Sequence, residues 1–382
     1  MEKKMHMMIV CGEVSGDLHA SILAEAIKEI APDTVISGIG GAFLRLTGAR
    51  LYCDIKELAV MGLFDVLKKF PRFFALKKLI VKKIDEEKPD ALILVDFSGF
   101  NLRLAKIVNK RIPCFYYVSP QVWASRPGRV KTIRRYIHKM IVLFKFEEEF
   151  YKRHGVDATF VGHPFLDIVK PAMTKIDFFH TFKLSEEKNI VALLPGSRKQ
   201  EIRNILPVML SAARHLNKKI ENLQFVIVKS PQLDWELYSR AIEAPGIDLQ
   251  IIEGRAYDCI HNADFCLIAS GTATLEAAIL KKPFCVVYKT NLFNYLLYRP
   301  LITVPYISIV NILAKKKIVP EFIQFRACGY FIARHAANIL KNPAKKTALQ
   351  AELGNISCLL GEEGAALRAA RVIVDSLQSR PN

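Results

Sequence analysis

The sequence predicts an α/β protein built on two doubly wound, Rossmann-like parallel sheets, and three observations predict it. Short, nearly continuous apolar runs rich in β-branched residues alternate with helix-length amphipathic stretches along the chain. That is the pattern of parallel strands covered by helices on both faces. The runs fall into two series of five or six, and 382 residues is length enough for two or three domains with large cores.

The first series predicts strands at 7–11, 35–39, 91–95, 114–118, 139–143 and 159–161, with a first helix over 18–30. Next comes a less regular stretch holding Pro164, Pro171 and many polar residues, which reads as an interdomain linker. The second series predicts strands at 190–194, 224–228, 248–252, 265–268 and 284–287, with helices over 200–215 and 275–280. The predicted division is therefore a first domain at 1–165, a linker at 166–188, a second domain at 189–334 and C-terminal helices at 335–382. Those helices have two places to pack, on their own first domain or on another subunit.

With 51% hydrophobic and 24% charged residues, the chain is not a disordered one. No apolar run reaches the roughly 18 residues of a membrane span. Glu13 and Asp17 follow the basic, apolar start too soon for a signal peptide. The eight cysteines form no C-x-x-C pair and no zinc-type spacing, so Cys11, Cys114, Cys266 and Cys285 read as small core residues in a reducing cytoplasm.

The net charge is +18, and the cations are bunched. Residues 66–84 carry seven Lys/Arg and no acid, interleaved with Leu67, Phe70, Phe73, Phe74, Leu76, Leu79 and Ile80. Residues 118–146 are acid-free with four Arg, three Lys and Trp123, and 277–320 are acid-free with seven Lys/Arg and many aromatics. Cations mixed with large apolar groups favour an anionic membrane surface or an anionic amphiphile. Nucleic acid would suit the same net charge, and an ordinary amphipathic helix with a solvated lysine face would suit any one segment.

Three strand ends run into turns suited to anions. Cys11-Gly12-Glu13-Val14-Ser15-Gly16-Asp17 offers two glycines and the Ser15 hydroxyl, although a plain tight turn explains the glycines equally well. Leu194-Pro195-Gly196-Ser197-Arg198 offers backbone N–H groups and a guanidinium, whose competing role is a structural salt bridge. Ser270-Gly271-Thr272-Ala273-Thr274-Leu275-Glu276 is the strongest diphosphate cradle; Glu276 suits ribose hydroxyls, its competing role being helix capping. The chain contains no GxxxxGK[ST] loop and no D-x-D pair. Phosphate charge then falls to dipoles, arginine and backbone donors, with no metal. Two such domains with these loops suggest a nucleotide-sugar enzyme of the two-Rossmann, GT-B type, with ligands in a cleft at the strand C-termini.

Ordered motifs from about residue 8 to 330 resemble one family. They include Gly12 to Asp17, Gly38-Ile39-Gly40-Gly41, Met61-Gly62-Leu63-Phe64-Asp65-Val66-Leu67 and Val95-Asp96-Phe97-Ser98-Gly99-Phe100-Asn101. Tyr117-Val118-Ser119-Pro120-Gln121-Val122-Trp123-Ala124, Phe146-Glu147, Gly162-His163-Pro164, Val304-Pro305-Tyr306-Ile307-Ser308, Asn311-Ile312-Leu313-Ala314 and Val319-Pro320-Glu321-Phe322-Ile323-Gln324 continue it. The chain resembles the lipid-A-disaccharide synthases, inverting glycosyltransferases. Asp65, Ser98, Ser125, Lys145 and Val310 depart from the family pattern, mainly in acceptor-side loops.

The resemblance implies a cytoplasmic enzyme, peripheral on the inner face of the inner membrane, that needs no cofactor or metal. Its substrates would be UDP-2,3-diacylglucosamine and 2,3-diacylglucosamine 1-phosphate, joined through a β-1,6 bond with release of UDP. Asp96 would be the general base, with Glu13 and Asp17 in reserve; a buried Asp capping a loop is the alternative. Ser15, Gly16, Arg198, Ser270, Gly271, Thr272, Glu276, Asn311, Glu321 and Gln324 would bind substrate, the last three by resemblance alone. Trp123 would stack on substrate or serve as a core aromatic, His19 would pack, and His163 would fix the linker. The face at 61–84 would meet the membrane, a homodimer is compatible, and no nucleic acid is expected. The competing readings are a UDP-N-acetylglucosamine 2-epimerase on the same architecture and, in another class, a non-enzymatic nucleic-acid-binding protein.

Overall fold

A computed structural model of the chain describes residues 4–56, 66–242, 246–302 and 304–379. It forms two compact units, Met1–Pro164 with Leu360–Asn382, and Phe165–Leu359. The first holds β1 (His6–Val10), β2 (Val35–Gly40), β3 (Arg50–Asp54), β4 (Ala91–Val95), β5 (Cys114–Tyr117), β6 (Lys139–Val142) and β7 (Ala158–Phe160). All pair in parallel, in the order β3-β2-β1-β4-β5-β6-β7. The second holds β8 (Asn189–Leu194), β9 (Leu223–Lys229), β10 (Leu249–Glu253), β11 (Phe265–Ala269), β12 (Phe284–Tyr288) and β13 (Glu321–Ile323). Their order is β10-β9-β8-β11-β12-β13, again parallel.

The central strands are buried on both faces, which is why they read as unbroken apolar runs: every residue of β4 and of β11 is buried. The strand order reverses at β1, which pairs with β2 and β4, and at β8, which pairs with β9 and β11. Loops leaving the C-terminal ends of β1 and β4, or of β8 and β11, diverge there and leave room for a ligand.

Two strands were not expected, β3 and β13. Each is the edge of its sheet and only half-buried, so neither carries a continuous apolar signal. The first helix is Val14–Ile30 and begins four residues before the expected start; Ser15, Gly16 and Asp17 therefore lie in its first turn. The segment 166–188, expected as a linker, takes part in helices Phe165–Ile168 and Lys175–Thr181 within the second unit. The C-terminal helices do not form one group. Gly329–Leu340 packs on helix Lys199–Asn217, and Pro343–Cys358 on helix Ala273–Ile279, in the second unit. Ala365–Gln378 packs on Val14–Ile30, where Ala369, Ala370, Ile373 and Val374 join the first unit's core. No helix among the described residues is long and apolar enough to cross a membrane. Residues 61–65 of the expected membrane face lie outside the described residues.

Candidate active site

In the first unit the site is built around the end of β4. Asp96 and Phe97 both have left-handed backbone, φ 47° and 45°, a conformation that costs a phenylalanine about 1–3 kcal/mol. Neighbouring groups hold it. The Asp96 N–H donates to the Tyr117 carbonyl at 3.2 Å. The Asp96 carbonyl accepts from the Tyr116 hydroxyl and, at 2.9 Å, from Asn101 Nδ2. Asn101 is fully buried and also donates to the carbonyls of Val10 and Val95, at 3.2 Å each, so it joins the ends of β1 and β4. The Phe97 ring stacks on Phe100 with centroids 5.2 Å apart. It also covers Gly12: a Cβ on that residue would lie 2.3 Å from the ring. Gly12 thus leaves room for the Phe97 ring, a contact that any side chain would block.

The Asp96 carboxyl is half-buried at the C-terminal edge of the sheet, and a Cβ on Gly16 would sit 3.9 Å from its own Cβ. The structure thus places Gly16 against Asp96, with half-buried Ser15 in the same helical turn. Arg129, which sequence reasoning did not single out, donates to Ser98 Oγ at 2.9 Å. Burial, then Arg126, lowers its pKa, and Tyr116 lies within electrostatic reach of both Arg129 and Asp96.

The reserve acids separate. Glu13 is exposed at the head of its helix. Asp17 is buried and accepts the backbone N–H groups of Gly41 at 2.6 Å, Phe43 at 3.0 Å and Leu44 at 3.3 Å. It caps the short helix Ala42–Leu46, not its own helix. Trp123 is also engaged: its indole N–H donates to buried Glu147 at 3.0 Å and its ring meets Phe146 edge-on at 4.9 Å. Burial raises the Glu147 carboxyl to about 7, against the opposing bonds from Trp123 and Ser119.

In the second unit, four loops lie along the C-terminal edge of β8, β11, β12 and β13. Gly196, φ 115°, lets the first turn close so tightly that a Cβ there would be 2.2 Å from Glu201 Oε2. That oxygen accepts the N–H groups of Ser197 at 2.9 Å and Arg198 at 3.3 Å, while Oε1 takes the Arg198 guanidinium at 3.0 Å. The expected phosphate donors of this turn are thus engaged by Glu201, and the alternative salt-bridge role of Arg198 is realised. The Arg198 side chain is still largely exposed. The three-residue spacing of Arg198 and Glu201 is the capping-box spacing, a signal present in the sequence.

The loop after β11 is open. Ser270 is half-buried, Gly271 and Thr272 are exposed, and nothing lies within 4 Å of a Cβ built on Gly271. Thr274 Oγ1 donates to the Gly271 carbonyl at 2.8 Å and shapes the turn. Burial raises the half-buried Glu276 carboxyl to about 7, and Tyr257 feels its charge. Tyr288, at the end of β12, lies within electrostatic reach of Glu201 and Arg198.

Asn311, Glu321 and Gln324 are turned toward the protein's own backbone. Asn311 is fully buried; its Nδ2 donates to the Val319 carbonyl and to Glu321, both at 2.9 Å, and its Oδ1 accepts from Ile318 and Val319. Glu321 also accepts the N–H groups of Ile307 at 3.1 Å and Ser308 at 3.0 Å. Gln324 makes a paired bond to the Thr290 backbone, N–H to Oε1 at 3.1 Å and Nε2 to the carbonyl at 2.9 Å. These residues hold the loops after β12 and β13 in shape. Among the described residues no three His, Cys, Asp or Glu side chains group as metal ligands.

The family described as Lipid-A-disaccharide synthetase matches residues 7–368. The chain is 42% identical over 368 residues to a lipid-A-disaccharide synthase of Syntrophus aciditrophicus, covering 95% of this chain and 96% of that protein. It is 38% identical over 378 residues to one of Myxococcus xanthus, with 99% of each covered. Among solved structures, it is similar to the UDP-GlcNAc 2-epimerase from Neisseria meningitidis bound to UDP-GlcNAc. There the TM-score is 0.65 at 12% identity, over 99% of this chain and 100% of that one. A glycosyltransferase from Rickettsia africae matches with TM-score 0.58 at 12% identity, over all of both chains. At such identities the solved structures speak to the two-domain α/β fold alone.

Proposed function

The chain belongs to the lipid-A-disaccharide synthetase family and is a glycosyltransferase, and from that premise we propose its substrates and mechanism. The donor is UDP-2,3-diacylglucosamine and the acceptor 2,3-diacylglucosamine 1-phosphate. The Asp96 carboxylate takes the proton of the acceptor 6-hydroxyl. The freed oxygen attacks the anomeric carbon opposite the diphosphate, the bond to UDP breaks, and a β-1,6 disaccharide 1-phosphate forms with inversion. The negative charge gathering on UDP meets Arg198 and the donors of Ser270, Gly271 and Thr272; Glu276 receives the ribose. Asn311, Glu321 and Gln324 shape the donor pocket by holding the loops they bond. The enzyme works on the inner face of the inner membrane, where both acylated substrates reside.

The observation that carries this reading is the left-handed Asp96–Phe97 turn beside Gly16, at the reversal point of its sheet. A half-buried carboxylate on a left-handed turn at the C-terminal edge of the sheet fits a base better than a cap. Arg198 and residues 270–272 stand at the equivalent point of the second sheet, which suits a diphosphate.

Asparagine tolerates left-handed backbone, so Asp96→Asn tests the carboxylate without altering the turn. Its kcat for disaccharide formation from purified substrates is expected to fall by about 100-fold or more, with UDP affinity unchanged. Arg198→Ala is expected to weaken UDP binding by about 10-fold or more. An Asp96→Asn enzyme with near-full turnover would remove the base. EDTA is expected to leave the rate unchanged; inhibition reversed by Mg²⁺ would remove metal independence. Conversion of UDP-N-acetylglucosamine to its epimer without any acceptor would select the epimerase reading.

A further inference from the structure

Helix Leu292–Tyr298 in the second unit is inside out. A surface helix of a globular protein turns its apolar stripe toward the core. Here Leu292, Phe293, Leu296 and Leu297, spaced i, i+1, i+4 and i+5 on one face, are 48, 69, 60 and 53% exposed. The helix is deliberately ended and held. Asn291 caps it through a bond from the Phe293 N–H at 2.9 Å, and half-buried Tyr295 meets the exposed ring of Phe325 edge-on at 6.4 Å. Ile302 is exposed just beyond it. An apolar surface of this kind marks a site of association.

The surrounding charge has one sign. Residues 277–320 contain seven Lys/Arg and no acid. Lys289 and Arg299 flank the helix and Arg326 adjoins Phe325; all three are exposed and none forms an ion pair among the described residues. The Arg299 guanidinium lies over the Tyr295 ring, 5.7 Å from its centroid. Leucines and a phenylalanine on one side with unpaired cations at the rim are the features of an interfacial helix that enters an anionic bilayer. A two-fold pairing with a second copy would instead set cations against the same cations.

We propose that helix Leu292–Tyr298 with Phe325 is a docking face for an anionic phospholipid bilayer, inserting Phe293, Leu296 and Leu297 while Lys289, Arg299 and Arg326 meet lipid phosphates. It is separate from the basic apolar helix Val66–Glu87 of the first unit. It deepens the reading above and rests on it for the acylated donor. The β12 end that leads into this helix also supplies Thr290, the residue Gln324 holds, so lipid contact lies beside the donor-side loops.

The test is flotation of the full chain with vesicles of phosphatidylglycerol and phosphatidylethanolamine, against vesicles of phosphatidylcholine alone. The variant Phe293→Ser/Leu296→Ser/Leu297→Ser changes only exposed side chains. It is expected to lower partitioning by at least about 10-fold, with UDP affinity and transfer between water-soluble short-chain substrates unchanged. Lys289→Glu/Arg299→Glu is expected to abolish the preference for phosphatidylglycerol. Phe74→Ser measures the first unit's contribution on its own. Wild-type flotation of the triple variant would overturn the proposal. So would a concentration-dependent dimer that the triple variant abolishes, without vesicle binding by the parent chain. Absence of UDP binding by the parent chain would count against the transferase reading and leave lipid docking standing.

Discussion

The Arg198 guanidinium lies 3.0 Å from the carboxylate of Glu201, which also accepts the Ser197 and Arg198 backbone N–H groups. One acid therefore fixes both the side chain and the turn to which the proposed mechanism assigns the diphosphate. Arg198 is 63% exposed, so the ion pair itself contributes little, and the cap contributes most.

Glu201→Ala is expected to lower stability by about 1 kcal/mol, the usual worth of a helix cap, and to raise the donor KM with little change in kcat. Glutamine can accept the same backbone bonds, so Glu201→Gln is expected to recover most of both losses. Chemical denaturation together with steady-state kinetics checks this. Equal losses in both variants would show that the charge, not the cap, matters.

Asn101 joins three carbonyls, of Val10, Val95 and Asp96. Removing it strands buried acceptors, at about 1–3 kcal/mol, and frees the Asp96 turn. Asn101→Ala is expected to lower kcat by about 10-fold or more while UDP affinity, which the proposed mechanism assigns to the second unit, is unchanged. Calorimetry and UDP titration separate the two effects.

Much of this was legible in the sequence, and what was not has a physical reason. Central strands such as β4 and β11 are covered on both faces and announce themselves as apolar runs. Edge strands β3 and β13 are half in solvent and do not. Asp96 stood out as an acid at a strand end. Its left-handed backbone did not, because that is enforced by Tyr116, Tyr117 and Asn101, two of which come from another strand. Asp17 stood in reserve as a base because spacing shows only local partners; the three N–H donors it serves lie 24 to 27 residues away. Arg198 stood out by its chemistry, whereas its partner Glu201 did not, although its three-residue spacing is a helix-cap signal.

Burial raises the Glu147 carboxyl from 4.5 to about 7. Between those values the folded state holds a proton that the unfolded state has lost, so this group makes stability fall as pH rises. Glu147→Gln is expected to gain on the parent chain above pH 7 and not at low pH, read as a difference in Tm. In a Trp235→Phe background the indole of Trp123, bonded to Glu147, is expected to report a fluorescence transition near pH 7 that Glu147→Gln abolishes.

The opposite sign holds for two histidines. Burial lowers His19 from 6.5 to about 4, and burial with His19 lowers His163 well below 6.5. Their rings are 5.8 Å apart, and His19 also meets Tyr117 edge-on at 6.2 Å. Charging both would place two cations side by side in a buried site, so the folded state keeps them neutral while the unfolded chain takes up protons. Stability is then complete above about pH 6.5 and is lost as pH falls toward 4, with a slope of up to about 2.7 kcal/mol per pH unit for two protons. The loss falls where the first unit closes, since the His163 N–H donates to the Leu360 carbonyl at 2.9 Å as the chain returns to that unit. His163→Phe keeps that backbone bond and removes one titrating ring. Its acid-unfolding slope between pH 6.5 and 4 is expected to drop by about half, and an unchanged slope would move the acid sensitivity to other groups.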